Sequence, residues 1–140
     1  MEKILLAVDG SMHSLRAAEY VARQLRGAPG RALLVVHVEE EVPMRSHAFL
    51  SQDEINKMYE QEALGRCTKV LDFLKRGQIA HQWHLLVGNP AERIVEHATA
   101  IGADCIVIGS RGMGKVGSLV LGSVAMKVVH DAAMPVTIVK

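Results

Sequence analysis

Five short apolar runs alternate with four amphipathic stretches along this chain, and that alternation restricts its architecture more than any other feature. Ile4 to Val8, Leu33 to Val38 and Cys105 to Ile108 are almost wholly apolar. In runs this short, such patterning describes strands covered on both faces. In Trp83 to Val87, the side chains Trp83, Leu85 and Val87 alternate with His84 and Leu86, which suits a less completely buried strand. Val136 to Val139 follows Pro135 and closes the chain as a fifth.

The intervening stretches have helical periodicity. Leu15, Ala18, Val21, Ala22 and Leu25 recur at three and four residues and share one face, until Gly27-Ala28-Pro29-Gly30 stops the helix. Ser51 with Glu54 forms a capping box for the longest helix, whose stripe of Ile55, Tyr59, Ala63, Cys67, Val70, Leu71 and Leu74 ends before Gly77. Asn89-Pro90-Ala91-Glu92 starts a third helix, with Asn at the cap and Pro where its missing N–H is not needed. Ser123 is expected to cap the fourth, directing Val124, Val128 and Val129 to the sheet. Strands alternating with helices form a mostly parallel sheet with right-handed crossovers and helices on both faces. An apolar content of 49% over 140 residues is enough for one core, so residues 1–140 are expected to form a single domain.

Sheets of this kind bind ligands beyond the carboxyl ends of their strands, where strand order reverses. The loops after strands one and four are expected to meet there. Asp9-Gly10-Ser11 offers a carboxylate and hydroxyls: Asp9 can brace the turn through its own backbone, and Ser11 and Ser14 suit helix capping. The segment Gly109 to Ser123 offers backbone N–H groups and positive charge. Two shorter motifs overlap within it. Gly109-x-x-x-x-Gly114-Lys115 begins like a Walker A loop, but Val116 stands where a magnesium-binding hydroxyl is required. Gly112-x-Gly114-x-x-Gly117 has dinucleotide spacing, yet it lies in a long connection without an acidic residue ending the next strand. Glycine admits phosphate oxygens close to the backbone, and the first turn of the following helix adds unpaired N–H groups. Arg111 and Lys115 are candidates to neutralise phosphate charge from the loop.

Over its full length the segment reads Gly109-x-x-Gly112, nine residues, then Gly122-Ser123. This resembles the nucleotide-binding signature of the ATP-binding branch of the universal stress protein family. The opening Ile-Leu-Leu-Ala-Val-Asp-Gly-Ser, Gly-Asn-Pro-Ala-Glu, Ala-Asp-Cys-Ile-Val-Ile-Gly-Ser-Arg-Gly, Leu-Gly-Ser-Val-Ala and Pro-Val-Thr-Ile-Val are similar to that family's recurring blocks, so the likeness covers almost the whole chain. It implies a three-layer α/β fold, like that of the adenine nucleotide alpha hydrolases. The sheet would be open, parallel and five-stranded, in order 3-2-1-4-5. It also implies a homodimer, for which the edge strand Val136 to Val139 is the natural pairing surface. Carried over by residue, the resemblance places adenosine against Ala7, Asp9 and Val38. It puts Gly109, Arg111 and Gly112 at the start of the phosphate path, and Gly122, Ser123 and Val124 at the phosphates. Ala125 stands where many relatives have a second hydroxyl.

The implied ligand is ATP, with Mg2+ arriving on the nucleotide, and the implied role is a sensor or regulator in stress response. Ordering of Gly112 to Gly117 around phosphate would be its signal. No base is evident for efficient hydrolysis, so slow turnover is the most that is expected. The competing class is a dimeric adapter or structural stress protein that does not bind nucleotide.

A formal charge of +1 gives no reason to expect a nucleic-acid or membrane partner. The amino-terminal apolar run is too short for a signal peptide, and no segment suits a membrane span, which points to the cytoplasm. Cys67 and Cys105 suit two buried thiols rather than a disulfide framework. Of the seven histidines, His81 and His84 lie three apart in a strand and should face opposite ways, and the other five are dispersed, so none has zinc-ligand spacing. The loop around Glu39 to Leu50, with Met44, His47 and Phe49, is expected to cover the adenosine side or meet a partner.

Overall fold

The computed structural model describes residues 2–43, 45, 48–112 and 121–140. Its elements run β1 (Glu2–Ala7), α1 (Met12–Leu25), β2 (Arg31–Glu39), α2 (Gln52–Arg76), β3 (Gln82–Val87), α3 (Pro90–Ala100), β4 (Cys105–Gly109), α4 (Ser123–Asp131) and β5 (Val136–Val139). Every strand pairing is parallel, and the sheet order is β3-β2-β1-β4-β5. Both the topology and the strand–helix alternation are as the sequence indicates.

The two-residue period of a strand separates the core into two layers. Ile4, Leu6 and Val8 of the first strand and its end pack with Ala17, Ala18 and Val21 of α1 and Cys67, Val70 and Leu74 of α2. Leu5 and Ala7 face the other way, against Ile94 and Ala98 of α3 and Ala125 and Val128 of α4. β3 is half-exposed through most of its length, because it is an edge and lacks a neighbour on one side.

The helix starts follow local chemistry. Ser11 Oγ accepts from Ser14 N at 3.1 Å, Ser51 Oγ from Glu54 N at 3.2 Å, and Asn89 Oδ1 from Glu92 N at 3.2 Å. Two helix expectations are corrected. Gly122, not Ser123, is the N-cap of α4, and Ser123 is its first helical residue. Val129 is 47% exposed, whereas Ala125 and Val128 are buried. Val128 is thus buried and Val124 packs against the core as expected, with Ala125 rather than Val129 completing the buried face. Cys67 is fully buried but Cys105 only partly so, and both are free.

Strand order reverses at β1. The β1–α1–β2 crossover leads to one side of it, and the connection from β3 through α3 leads to β4 on the other. A crevice opens above the carboxyl ends of β1 and β4, the position where such sheets hold ligands.

Candidate functional site

A cavity of about 440 Å3 occupies this crevice. All nine residues singled out from the sequence line it: Ala7, Asp9, Val38, Gly109, Arg111, Gly112, Gly122, Ser123 and Val124. Lys115 and the Gly114 to Gly117 stretch of the loop, like Met44 and His47, lie outside the described residues. Phe49 is described and is almost fully exposed.

Asp9 organises the first loop. Its Oδ1 accepts from Ser11 N at 2.9 Å and from Ser14 Oγ at 2.7 Å, while its own N–H donates to Ser14 Oγ at 2.8 Å. These bonds close the turn and fix the carboxylate, as expected. Oδ2 faces Gly112: an ideal Cβ on that glycine would stand only 2.5 Å from it. The two loops thus approach each other so closely that a side chain at 112 would displace the carboxylate. Ser11 Oγ also donates to Arg111 O at 3.4 Å, a second link between the loops.

The glycine segment is drawn closed at its base. Gly122 N donates to Ser110 O at 2.7 Å, and Ser110 N donates to Val139 O at 2.7 Å, which ties both ends of the segment to β5. At Gly109 the sheet meets the start of α1: a Cβ would come within 2.7 Å of His13 Cβ and 2.8 Å of its backbone carbon. Gly122 has no side chain with which to cap α4. The N–H groups of the helix's first turn therefore have no side-chain cap, and they stand at the cavity with Ser123, Val124 and Ala125. This end of the cavity suits a phosphate or another small anion.

The opposite end has different chemistry and was largely missed in the sequence. His37, Glu39 and Glu40 at the end of β2 and Arg66 of α2 line it, while Pro90, Ile94 and Ile108 add apolar wall to the cavity. His37 is buried, with Nδ1 2.8 Å from Val8 O and Nε2 2.8 Å from Glu39 Oε1. The same carboxylate oxygen accepts from Arg66 Nε at 3.1 Å. No local motif signals this cluster, because Arg66 lies 27 residues from Glu39 on a surface helix whose charged positions look alike.

Cys67 lies behind this wall. Burial, followed by the nearby carboxylates of Asp9 and Glu39, pushes its thiol up to about 12. It stays protonated and is no nucleophile for the cavity. The structure also joins two histidines that the sequence left apart. His84 Nδ1 lies 2.7 Å from His97 Nε2, with the rings edge to face. Burial, then the neighbouring His84 and Arg93, hold His97 below its ordinary value. Among the described residues, no group of three His, Cys, Asp or Glu side chains is placed to hold a metal ion. No described helix is long and apolar enough to cross a membrane.

Comparison with known proteins bears on this geometry. A model described as the universal stress protein family matches residues 1–140. A universal stress protein of Thermus aquaticus is 41% identical over 143 residues, spanning 98% of this chain and 97% of its own. The solved structure of protein MJ0577 of Methanocaldococcus jannaschii superposes with a TM-score of 0.83 at 27% identity, covering 99% of this chain and 95% of its own. A universal stress protein from Archaeoglobus fulgidus, solved in complex with dAMP, gives a TM-score of 0.70 at 26% identity over 100% of this chain and 98% of its own.

Proposed function

The chain belongs to the universal stress protein family, and from that premise we propose that it binds an adenine nucleotide, ATP in particular, and acts as a nucleotide-dependent regulator in stress response. The observation that carries this reading is the convergence of two separate loops and one uncapped helix start on a single cavity. Asp9 and the Gly109, Gly112 and Gly122 cradle line it together. The dAMP complex of the Archaeoglobus fulgidus relative supports adenine nucleotide as the ligand class.

In this reading the 140 residues act as one domain. The free oxygen of Asp9 takes a ribose hydroxyl, Ala7 and Val38 bound the adenosine, and Arg111, Ser123 and the first turn of α4 receive the phosphates. Backbone N–H groups and the helix dipole attract anions without needing a protein-held metal, and Mg2+ enters with ATP. The loop after Gly112 carries the signal. Binding, with slow turnover at most, is the activity in this reading.

The second part of the proposal is a cytoplasmic homodimer formed through β5. Pro135 O and Val139 O accept from β4, so alternation turns the backbone groups of Val136 and Ile138 outward, where a second copy can pair with them. On α4, the apolar Met126 and Val129 are 54% and 47% exposed.

Nucleotide carried through purification tests the ligand. Heat-denatured wild-type protein should release an adenine nucleotide into the supernatant, and Gly122→Val protein should release far less. Equal release from both proteins, or none from either, would contradict the site.

A further inference from the structure

We infer that Arg66 is a specificity-determining residue whose guanidinium covers the base end of the cavity and favours a purine over a pyrimidine. This rests on the nucleotide reading above. The charge distribution first fixes which end takes the base. Phosphate is attracted to the uncapped start of α4, the glycine cradle and Arg111 beyond β4, while Glu39 and Glu40 outweigh the single cation of Arg66 at the end of β2. A nucleotide crossing Asp9 with its phosphate on α4 therefore directs its base toward β2 and α2.

Arg66 stands at that end, held in place twice over. Gly10, with φ of +87°, lets the β1–α1 turn pass so close beneath α2 that an ideal Cβ there would be 2.4 Å from Arg66 O, which seats this turn of the helix on the site. The side chain is then oriented from below. Arg66 Nε donates to Glu39 Oε1, the oxygen that His37 Nε2 also meets. His37 is fixed by Val8 O and by Glu39, and the Trp83 ring lies nearly parallel to it with 6.4 Å between centroids. Glu62 pairs with the outer nitrogen Nη2 at 3.7 Å.

With Nε bonded to Glu39 and Nη2 paired to Glu62, the guanidinium is oriented from one edge and its planar, cationic face stands open to a ligand beside Nη1. That face is matched by the π surface of a base. The larger ring system of a purine gains more from such a cover than a pyrimidine does. Lysine would keep the charge and the contact with Glu39 but would lose the plane.

Calorimetric titration with AMP, and with UMP competing against AMP so that weak affinity is still ranked, tests the inference on wild-type, Arg66→Lys and Arg66→Ala proteins. Both variants should bind AMP more weakly by roughly fivefold, with UMP affinity changed much less and the unliganded thermal midpoint of Arg66→Lys unchanged. Gly122→Val should weaken both nucleotides alike, marking the phosphate end. If Arg66→Lys binds AMP as the wild type does, or if AMP and UMP weaken equally, Arg66 is only a surface ion-pair partner and the inference falls alone. If wild-type protein binds neither nucleotide, the nucleotide reading falls and takes the inference with it.

Discussion

Replacing Gly112 by alanine adds one methyl group at the point where the two loops of the site meet. The added carbon would stand 2.5 Å from Asp9 Oδ2, inside the contact distance of the two atoms, so something must move. If the carboxylate turns away, its bonds from Ser11 N at 2.9 Å and Ser14 Oγ at 2.7 Å are lost or strained. Two such bonds, both from buried serines, place the destabilisation at about 1–3 kcal/mol. For 140 residues, an unfolding entropy of about 2.1 cal/mol/K per residue converts each kcal/mol into roughly 3 °C of melting temperature. A double-mutant cycle isolates the clash. Asp9→Ala removes the obstructing oxygen, so Gly112→Ala should then be close to neutral, although Asp9→Ala is itself destabilising because Ser14 and Ser11 lose their acceptor. Equilibrium urea unfolding of the four proteins, with an unchanged denaturant slope, gives the coupling energy. An equal effect of Gly112→Ala in both backgrounds would refute the described approach of the loops, as would no effect in either.

Cys67, buried and raised to about 12, should resist a thiol reagent at pH 8 in the folded protein and react at once in denaturant, while the partly exposed Cys105 labels faster under native conditions; equal native rates would contradict the burial. His97 binds its proton less readily folded than unfolded, so stability should be complete above the ordinary histidine value of about 6.5 and decline as pH falls below it; in urea midpoints, His97→Gln should flatten that slope, and an unchanged slope would remove the pair from the account. Sedimentation equilibrium should give a dimer mass for wild-type protein and a monomer for Ile138→Pro, which lacks an outward donor on β5; a monomeric wild type would overturn the dimer.

The fold was legible because its signals are local. Ile4 to Val8 and Leu33 to Val38 are apolar on both faces for the reason that the structure shows, since each strand feeds two core layers. The cradle was legible because its glycines fall within a short stretch of chain, where close approaches require Gly109 and Gly112 and leave little room at Gly122. What escaped depends on distant partners. The cap of α4 passed from Ser123 to Gly122 because the loop closes through Gly122 N and Ser110 O, a bond between backbone groups that no side chain announces. His84 and His97 meet only because a strand and the helix after it pack together. The His37–Glu39–Arg66 cluster joins two secondary structure elements through one carboxylate oxygen, and each residue is unremarkable in its own segment.

The central claim is that this cavity binds an adenine nucleotide with its phosphate on the start of α4. Isothermal titration of ATP and AMP into nucleotide-free protein tests it most directly, with Gly122→Val as the comparison. Saturable binding of one nucleotide per chain, strongly weakened in the variant, is the predicted result. The absence of saturable heat with either nucleotide, or unchanged affinity in Gly122→Val, would contradict it.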